Sequence, residues 1–280
     1  MSETRSADPR AKRPLVHCIT NRVSMNDCAN LLLACGAVPV MADAPEEVAE
    51  ITAAADALVL NLGTPGRDTL PAMLAAGRTS AAKNIPIVFD PVGVYASAFR
   101  AGIARELLAA VPVTVIRGNR REVSFLAELV CGKSSDDPAR ALALATGAVV
   151  LMTGETDIVT DGKAHYTVHG GTPMLTQITG AGCMLSALTG ALLAASRIEA
   201  WQDIAAVGAA TPGAASDDPA THSTAALAPA TVTAVCLLAA RTMNEAGERA
   251  ATRMSAEAGN ASCRNYLIDA IMRITQSRTV

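Results

Sequence analysis

Between residues 57 and 154, short apolar runs alternate with Ala/Leu-rich stretches of helical spacing. The runs are ALVLNLG (57–63), IPIVFDPVG (85–93), VTVIRGN (113–119) and AVVLMTG (148–154). Each is rich in Val, Ile or Leu and is closed by Gly or Pro, which predicts a buried strand. The stretches between them, TLPAMLAAGRTSAAKN, SAFRAGIARELLAA and EVSFLAELV, space their apolar residues as helices do. Strands that are apolar on both faces and alternate with helices require a parallel sheet covered on both sides. The predicted class is therefore α/β.

Polar residues stand just past the ends of these strands: Asn61, Asp90, Arg117, Asn119 and Thr153. In open α/β sheets that edge is where ligands bind. After Thr153, the alternation around Asp161-Gly162 predicts a β-hairpin. A glycine turn follows, and a long helix begins at about Gly182. The C-terminal third reads as helical apart from 210–230, whose Ala, Pro, Ser, Thr and Asp predict a loop. The polar stretch at residues 1–14 has no apolar run of a signal peptide and reads as a flexible leader to one domain over 15–280.

Composition narrows the classes of function. Net charge is −3, and only three Phe, three Tyr and one Trp are present. Neither a basic footprint nor stacking platforms for nucleic acid are provided. The seven cysteines are scattered, with no C-x-x-C spacing. A disulfide framework or zinc site is not indicated, and a reducing, cytoplasmic compartment is expected. No run approaches the roughly 18 apolar residues of a membrane span.

The stretch TQITGAGCML (176–185) places a thiol at the mouth of the long helix. Free N–H groups and the helix dipole favour anions there, phosphate included. The same field is expected to lower the Cys183 pKa from about 8.5. Cys183 is thus a base, a nucleophile, a redox thiol, or a buried cysteine beneath a packed helix. Asp90 either holds Mg²⁺ through water or caps the turn before Pro91. Glu122 is either a second carboxylate at that metal or a first-turn helix residue. Arg117 suits a polyphosphate or a surface ion pair. Thr153 contacts a nucleotide phosphate or starts a turn. Taken together they suit phosphoryl transfer, which depends on positioning and charge neutralisation. Neither a Walker-type loop nor G-x-G-x-x-G is present.

DPVG, IRGN with a following Glu, TG and TGAGC, in that order, resemble the ribokinase-like superfamily. VHCITNRVSMNDCANLLLACGAVPVMADAPEEV (16–48) and LVLNLGT (58–64) resemble hydroxyethylthiazole kinase. The resemblance implies a three-layer α/β/α fold with a mostly parallel central sheet. It also implies ATP-dependent phosphorylation of the primary alcohol of 4-methyl-5-(2-hydroxyethyl)thiazole in thiamine salvage. On its motifs, Cys183 matches the catalytic-base position. Met41 and Gly180 match substrate-binding positions, with Asn21 a further neighbour of the thiazole. Arg117 and Thr153 match ATP-binding positions, and Asp90 and Glu122 the magnesium-side carboxylates. A homotrimer with active sites between subunits is implied as well. A hydroxymethylpyrimidine or pyridoxal-type vitamin kinase, or a non-catalytic binder of thiazole or nucleotide, is the alternative. The chain departs from the family pattern at DPVGVYAS, where Tyr95 takes a normally small position and is expected to reshape the substrate or phosphate end. It departs also at CGKSSDDPAR, at GNASC (259–263), and at 210–230, which resembles an inserted loop.

Overall fold

The computed structural model describes residues 13–197 and 226–277. Eight strands form one sheet: β1 (Leu15–Ile19), β2 (Val38–Val40), β3 (Ala57–Asn61), β4 (Ile87–Asp90), β5 (Val115–Asn119), β6 (Val149–Thr153), β7 (Asp157–Thr160) and β8 (His165–Val168). Their order is β2-β1-β3-β4-β5-β6-β7-β8. The first six are parallel, and β7 and β8 continue the sheet antiparallel. The change of sense follows from chain length. Parallel neighbours need a crossover, whereas only Gly154–Thr156 separate β6 from β7, enough for a hairpin alone.

Nine helices are described: α1 (Met25–Ala34), α2 (Val48–Ala54), α3 (Thr69–Ala82), α4 (Ala98–Ala110), α5 (Arg120–Cys131), α6 (Pro138–Thr146), α7 (Ala181–Ala195), α8 (Pro229–Thr252) and α9 (Asn260–Ser277). They cover the two faces of the sheet. Val16, Val59, Val88 and Val149 face a core with α1, α7, α8 and α9. Leu58, Leu60, Phe89 and Val150 face a second core with α3, α4, α5 and α6. Adjacent residues of one strand thus enter opposite cores, the period-2 consequence of the pleat. Every residue of β3 and β4 is buried, as their uninterrupted apolar runs require.

β3, β4 and β6 stop short of the Gly or Pro that closes each run, whereas β5 keeps Gly118 and begins two residues later than its run. The Asp161-Gly162 hairpin forms with a four-residue loop, and Asp161 Oδ1 accepts the N–H groups of Lys163 and Ala164. Sequence periodicity did not single out β1, β2, α1, α2 or α6. β2 has only three residues, β1 is interrupted by His17, and the α2 and α6 segments are too short for a decisive period. In the predicted loop at 210–230, residues 210–225 lie outside the described residues, while Pro229 already begins α8. Of the 1–14 leader, only Arg13 and Pro14 are described. Arg13 is anchored, donating to the carbonyls of Gly36 and Ala37 at 2.9 and 3.0 Å.

Candidate active site

The parallel strands deliver Asn21, Asn61, Asp90, Arg117 and Thr153 to the carboxyl edge of the sheet. Asn61 and Asp90 are register partners on neighbouring strands. The start of α7 crosses this edge, and its first turn supplies Cys183.

These groups form a continuous hydrogen-bonded array. Asn61 Nδ2 donates to Asp90 Oδ2 at 2.8 Å and to Cys183 Sγ at 3.2 Å. Asn21 Nδ2 donates to Asn61 Oδ1 at 2.9 Å and to Cys183 Sγ at 3.2 Å. Asn21 Oδ1 accepts the backbone N–H groups of Val23 and Ser24, so the same side chain orders the turn that leads into α1. Ser186, one turn after Cys183 on α7, donates to Asp90 Oδ2 at 2.7 Å. Cys183 and Asp90 are therefore joined through Asn61 and carried on elements distant in sequence.

Asp90 is fully buried, and its Oδ1 accepts no hydrogen bond. Burial raises its pKa to about 6, against the opposing pull of the Arg117 guanidinium 3.9 Å away. Arg117 is also buried, and donates to Thr153 Oγ1 at 2.8 Å. Its guanidinium lies against the backbone of Gly182, in space that a Cβ would occupy. A cation at the positive end of a helix is unfavourable alone; Asp90 offsets it.

Glycine is required at two points of the α7 mouth. Gly182 makes room for Arg117. Gly180, at φ 82°, caps the helix in the left-handed region, and a Cβ there would sit 2.5 Å from Ser24 Cβ.

The expected lowering of the Cys183 pKa is not what the structure produces. Burial, and then the Asp90 carboxylate, push the thiol up. Asn61 and Arg117 pull it down without reversing the shift. The helix field is outweighed because a thiolate here would be desolvated and would stand beside another anion. With its pKa raised, Cys183 is a neutral thiol at neutral pH.

Glu122 has a definite structural task. One carboxylate oxygen accepts Gly93 N–H and the other Asn119 N–H, both at 2.9 Å, and Asn119 Oδ1 accepts Glu122 N–H in return. This capping box starts α5 and ties it to the turn after Asp90. Met41 stands at the carboxyl end of β2, half-buried against the core that also holds Cys183. The next carbonyl, of Ala42, accepts from the buried His17 at 2.9 Å, and Thr52 bonds the other ring nitrogen at 2.8 Å. Tyr95 lies in the turn between β4 and α4, with the Arg121 guanidinium 3.8 Å over its ring.

Two side chains at this edge, Asn61 and Ser186, had no role assigned from the sequence. Asn61 was visible as a polar residue closing an apolar strand. Ser186 had the spacing signal of a helix face shared with Cys183. The buried His17 lies below the edge, in mid-β1 level with Leu58, and gave no sequence signal, since a lone polar residue within an apolar strand has no period of its own.

A parallel sheet with a buried Asp, an Arg and a glycine-bounded helix mouth on its carboxyl edge defines a small-molecule kinase of ribokinase-like fold. A ribokinase-like superfamily protein from Enterococcus faecalis shares the fold, with a TM-score of 0.59 over 98% of this chain and 91% of that one, at 12% identity. The model of the hydroxyethylthiazole kinase family matches residues 7–226. The Clostridium acetobutylicum hydroxyethylthiazole kinase is 38% identical over 98% of this chain and 95% of its own. That of Methanoculleus marisnigri is 46% identical over 71% and 75% respectively. The solved hydroxyethylthiazole kinase of Pyrococcus horikoshii superposes with a TM-score of 0.76 at 34% identity, covering 94% of this chain and 89% of that one. The chain belongs to the hydroxyethylthiazole kinase family.

Proposed function

We propose that the protein transfers the γ-phosphoryl group of ATP to the primary alcohol of 4-methyl-5-(2-hydroxyethyl)thiazole, as a step of thiamine salvage. The observation that supports this most directly is the Asn21–Cys183–Asn61–Asp90 array at the mouth of α7. It places a thiol, a carboxylate and free helix N–H groups around one point, beside a guanidinium.

The thiazole lies among Met41, Asn21 and Gly180, with its hydroxyl toward Cys183. Arg117 and Thr153 face the ATP phosphates. The helix N–H groups and Arg117 stabilise the charge spread over the transferring phosphoryl oxygens. Cys183 accepts the alcohol proton once ionised, and the small thiolate fraction at neutral pH suffices where the alcohol loses its proton late. The residues fit a magnesium ion on the Asp90 side, where a buried carboxylate oxygen lacks a hydrogen-bond donor. Asp90 would hold such an ion, which would supply charge neutralisation of the phosphates. Glu122 holds the Gly93 and Asn119 backbones on that side, and its carboxylate would add negative charge toward the ion.

Residues 15–280 act as one kinase domain, with 210–230 as an inserted loop. The chain works in the cytoplasm as a homotrimer with active sites between subunits. Among the described residues no helix is long and apolar enough to cross a membrane. The exposed Val23, Leu33 and Met272, on and beside α1 and α9, are candidates for the subunit contact.

A coupled ADP-release assay with the thiazole alcohol, hydroxymethylpyrimidine and pyridoxal, with and without Mg²⁺, tests the reading. The expected result is magnesium-dependent turnover of the thiazole alcohol above the other two. Preference for pyrimidine or pyridoxal, or binding of the thiazole without turnover, overturns it.

A further inference from the structure

Arg100, in the first turn of α4, makes contacts that nothing so far explains. Its guanidinium donates to three backbone carbonyls: Leu62 and Val92 through one terminal nitrogen, and Gly63 through the other at 2.7 Å. The Val92 bond is 2.9 Å. Leu62 and Gly63 follow Asn61 at the end of β3. Val92 lies two residues past Asp90 at the end of β4. One planar, charged group therefore bridges the two loops that carry adjacent members of the site.

The side chain is itself held in place. Ser97 caps α4 by accepting the Arg100 backbone N–H at 3.3 Å, which fixes the turn from which the side chain extends. The β4 loop is held from its other side by Glu122, which accepts Gly93 N–H. Strand pairing ends at the Asn61–Asp90 register pair, beyond which only the Leu62 N–H to Asp90 carbonyl bond at 3.0 Å continues it. Past that point the loop carbonyls need another donor, and charge-assisted bonds from a guanidinium fork are strong and directional.

We propose that Arg100 is a positioning residue: its guanidinium staples the loops after β3 and β4 and so keeps Asn61, Asp90 and Cys183 in one hydrogen-bonded array. Lysine replaces it only in part, since an ammonium is a point donor without the fork that spans both loops. The catalytic consequence rests on the reading that Asp90 and Cys183 serve phosphoryl transfer. The structural consequence, an ordered environment for the Cys183 thiol, does not.

The test uses Arg100→Met and Arg100→Lys. First, alkylation by iodoacetamide is followed at each cysteine by mass spectrometry, without substrate. In Arg100→Met, Cys183 is expected to react about threefold faster or more as the loosened loops admit water and reagent to the thiol. Cys18, Cys28, Cys236 and Cys263 keep their wild-type rates. Second, kcat falls about tenfold while KM for ATP is unchanged, the pattern of misplaced reacting groups. Arg100→Lys falls between the two proteins in both measurements, and decides the matter should the Met variant not fold. Unchanged Cys183 reactivity and kcat with only a lower Tm would overturn the proposal, as would equal acceleration at every buried cysteine. Failure of the wild-type protein to phosphorylate the alcohol removes the functional reading, while the thiol measurement still decides the role of Arg100.

Discussion

Cys183 and Asp90 titrate in opposite ways from what its proposed task asks of each, and this sets the expected pH behaviour. Asp90 must be ionised to hold a cation, yet burial raises its pKa to about 6. Its folded pKa is above the unfolded one, so its ionised form costs stability above pH 6. That cost fades as pH falls toward 4 and is on the order of 1–3 kcal/mol. For activity the sign reverses: kcat/KM, which reports the free enzyme, is expected to fall as pH drops through about 6. Asp90→Asn should remove this acid limb, lower turnover and weaken the dependence on magnesium; an unaltered magnesium titration excludes Asp90 from the metal. The raised Cys183 thiol predicts a second rise in kcat on the alkaline side, beyond the ordinary thiol range. Cys183→Asp should retain turnover and lose that rise, since a carboxylate is already ionised. Complete loss of activity in a folded Cys183→Asp protein, or a wild-type profile flat above pH 7, removes the base assignment. The types of these residues and their places at strand ends were legible in the sequence. The direction of the thiol shift was not, because it depends on Asp90, 93 positions away in the chain, and on burial.

The start of α7 shows most clearly how one element depends on glycine. Gly180 takes the left-handed conformation and also rests against Ser24, so Gly180→Ala meets strain and a clash at once. A loss of at least about 2 kcal/mol is expected, measured by denaturant unfolding. The same change should disturb the array through Ser24 and raise KM for the thiazole alcohol. A stability change under about 0.5 kcal/mol, the scale of an ordinary surface substitution, contradicts the account. At this scale long elements were readable: α3, α4 and α5 repeat their apolar residues over three turns or more, and β3–β6 are closed by Gly or Pro. The short β2 and α6 were not, and depend on their neighbours. The three residues of β2 pair only with β1, and α6 packs against α5. The parallel sheet explains why candidates far apart in the chain share one edge, since every crossover returns the next strand end to the same side.

For the molecule as a whole, the expected assembly is a trimer. Light scattering coupled to size exclusion should give three times the chain mass of 28.6 kDa. Charged substitutions at Leu33 and Met272 should lower that mass and reduce turnover together. A monomer with full activity rules out sites shared between subunits. Local pattern was enough to determine the α/β class, the carboxyl-edge location and the chemical types of the site residues, because periodicity and strand-closing residues are properties of neighbours in the chain. Tertiary structure alone decided that Asn61 joins Cys183 to Asp90, that Arg117 lies in the space left by Gly182, and that Arg100 bridges two loops. Those are contacts between strands and helices brought together only by packing. The protonation of the thiol belongs with them, since desolvation and a neighbouring charge exist only once the core has closed.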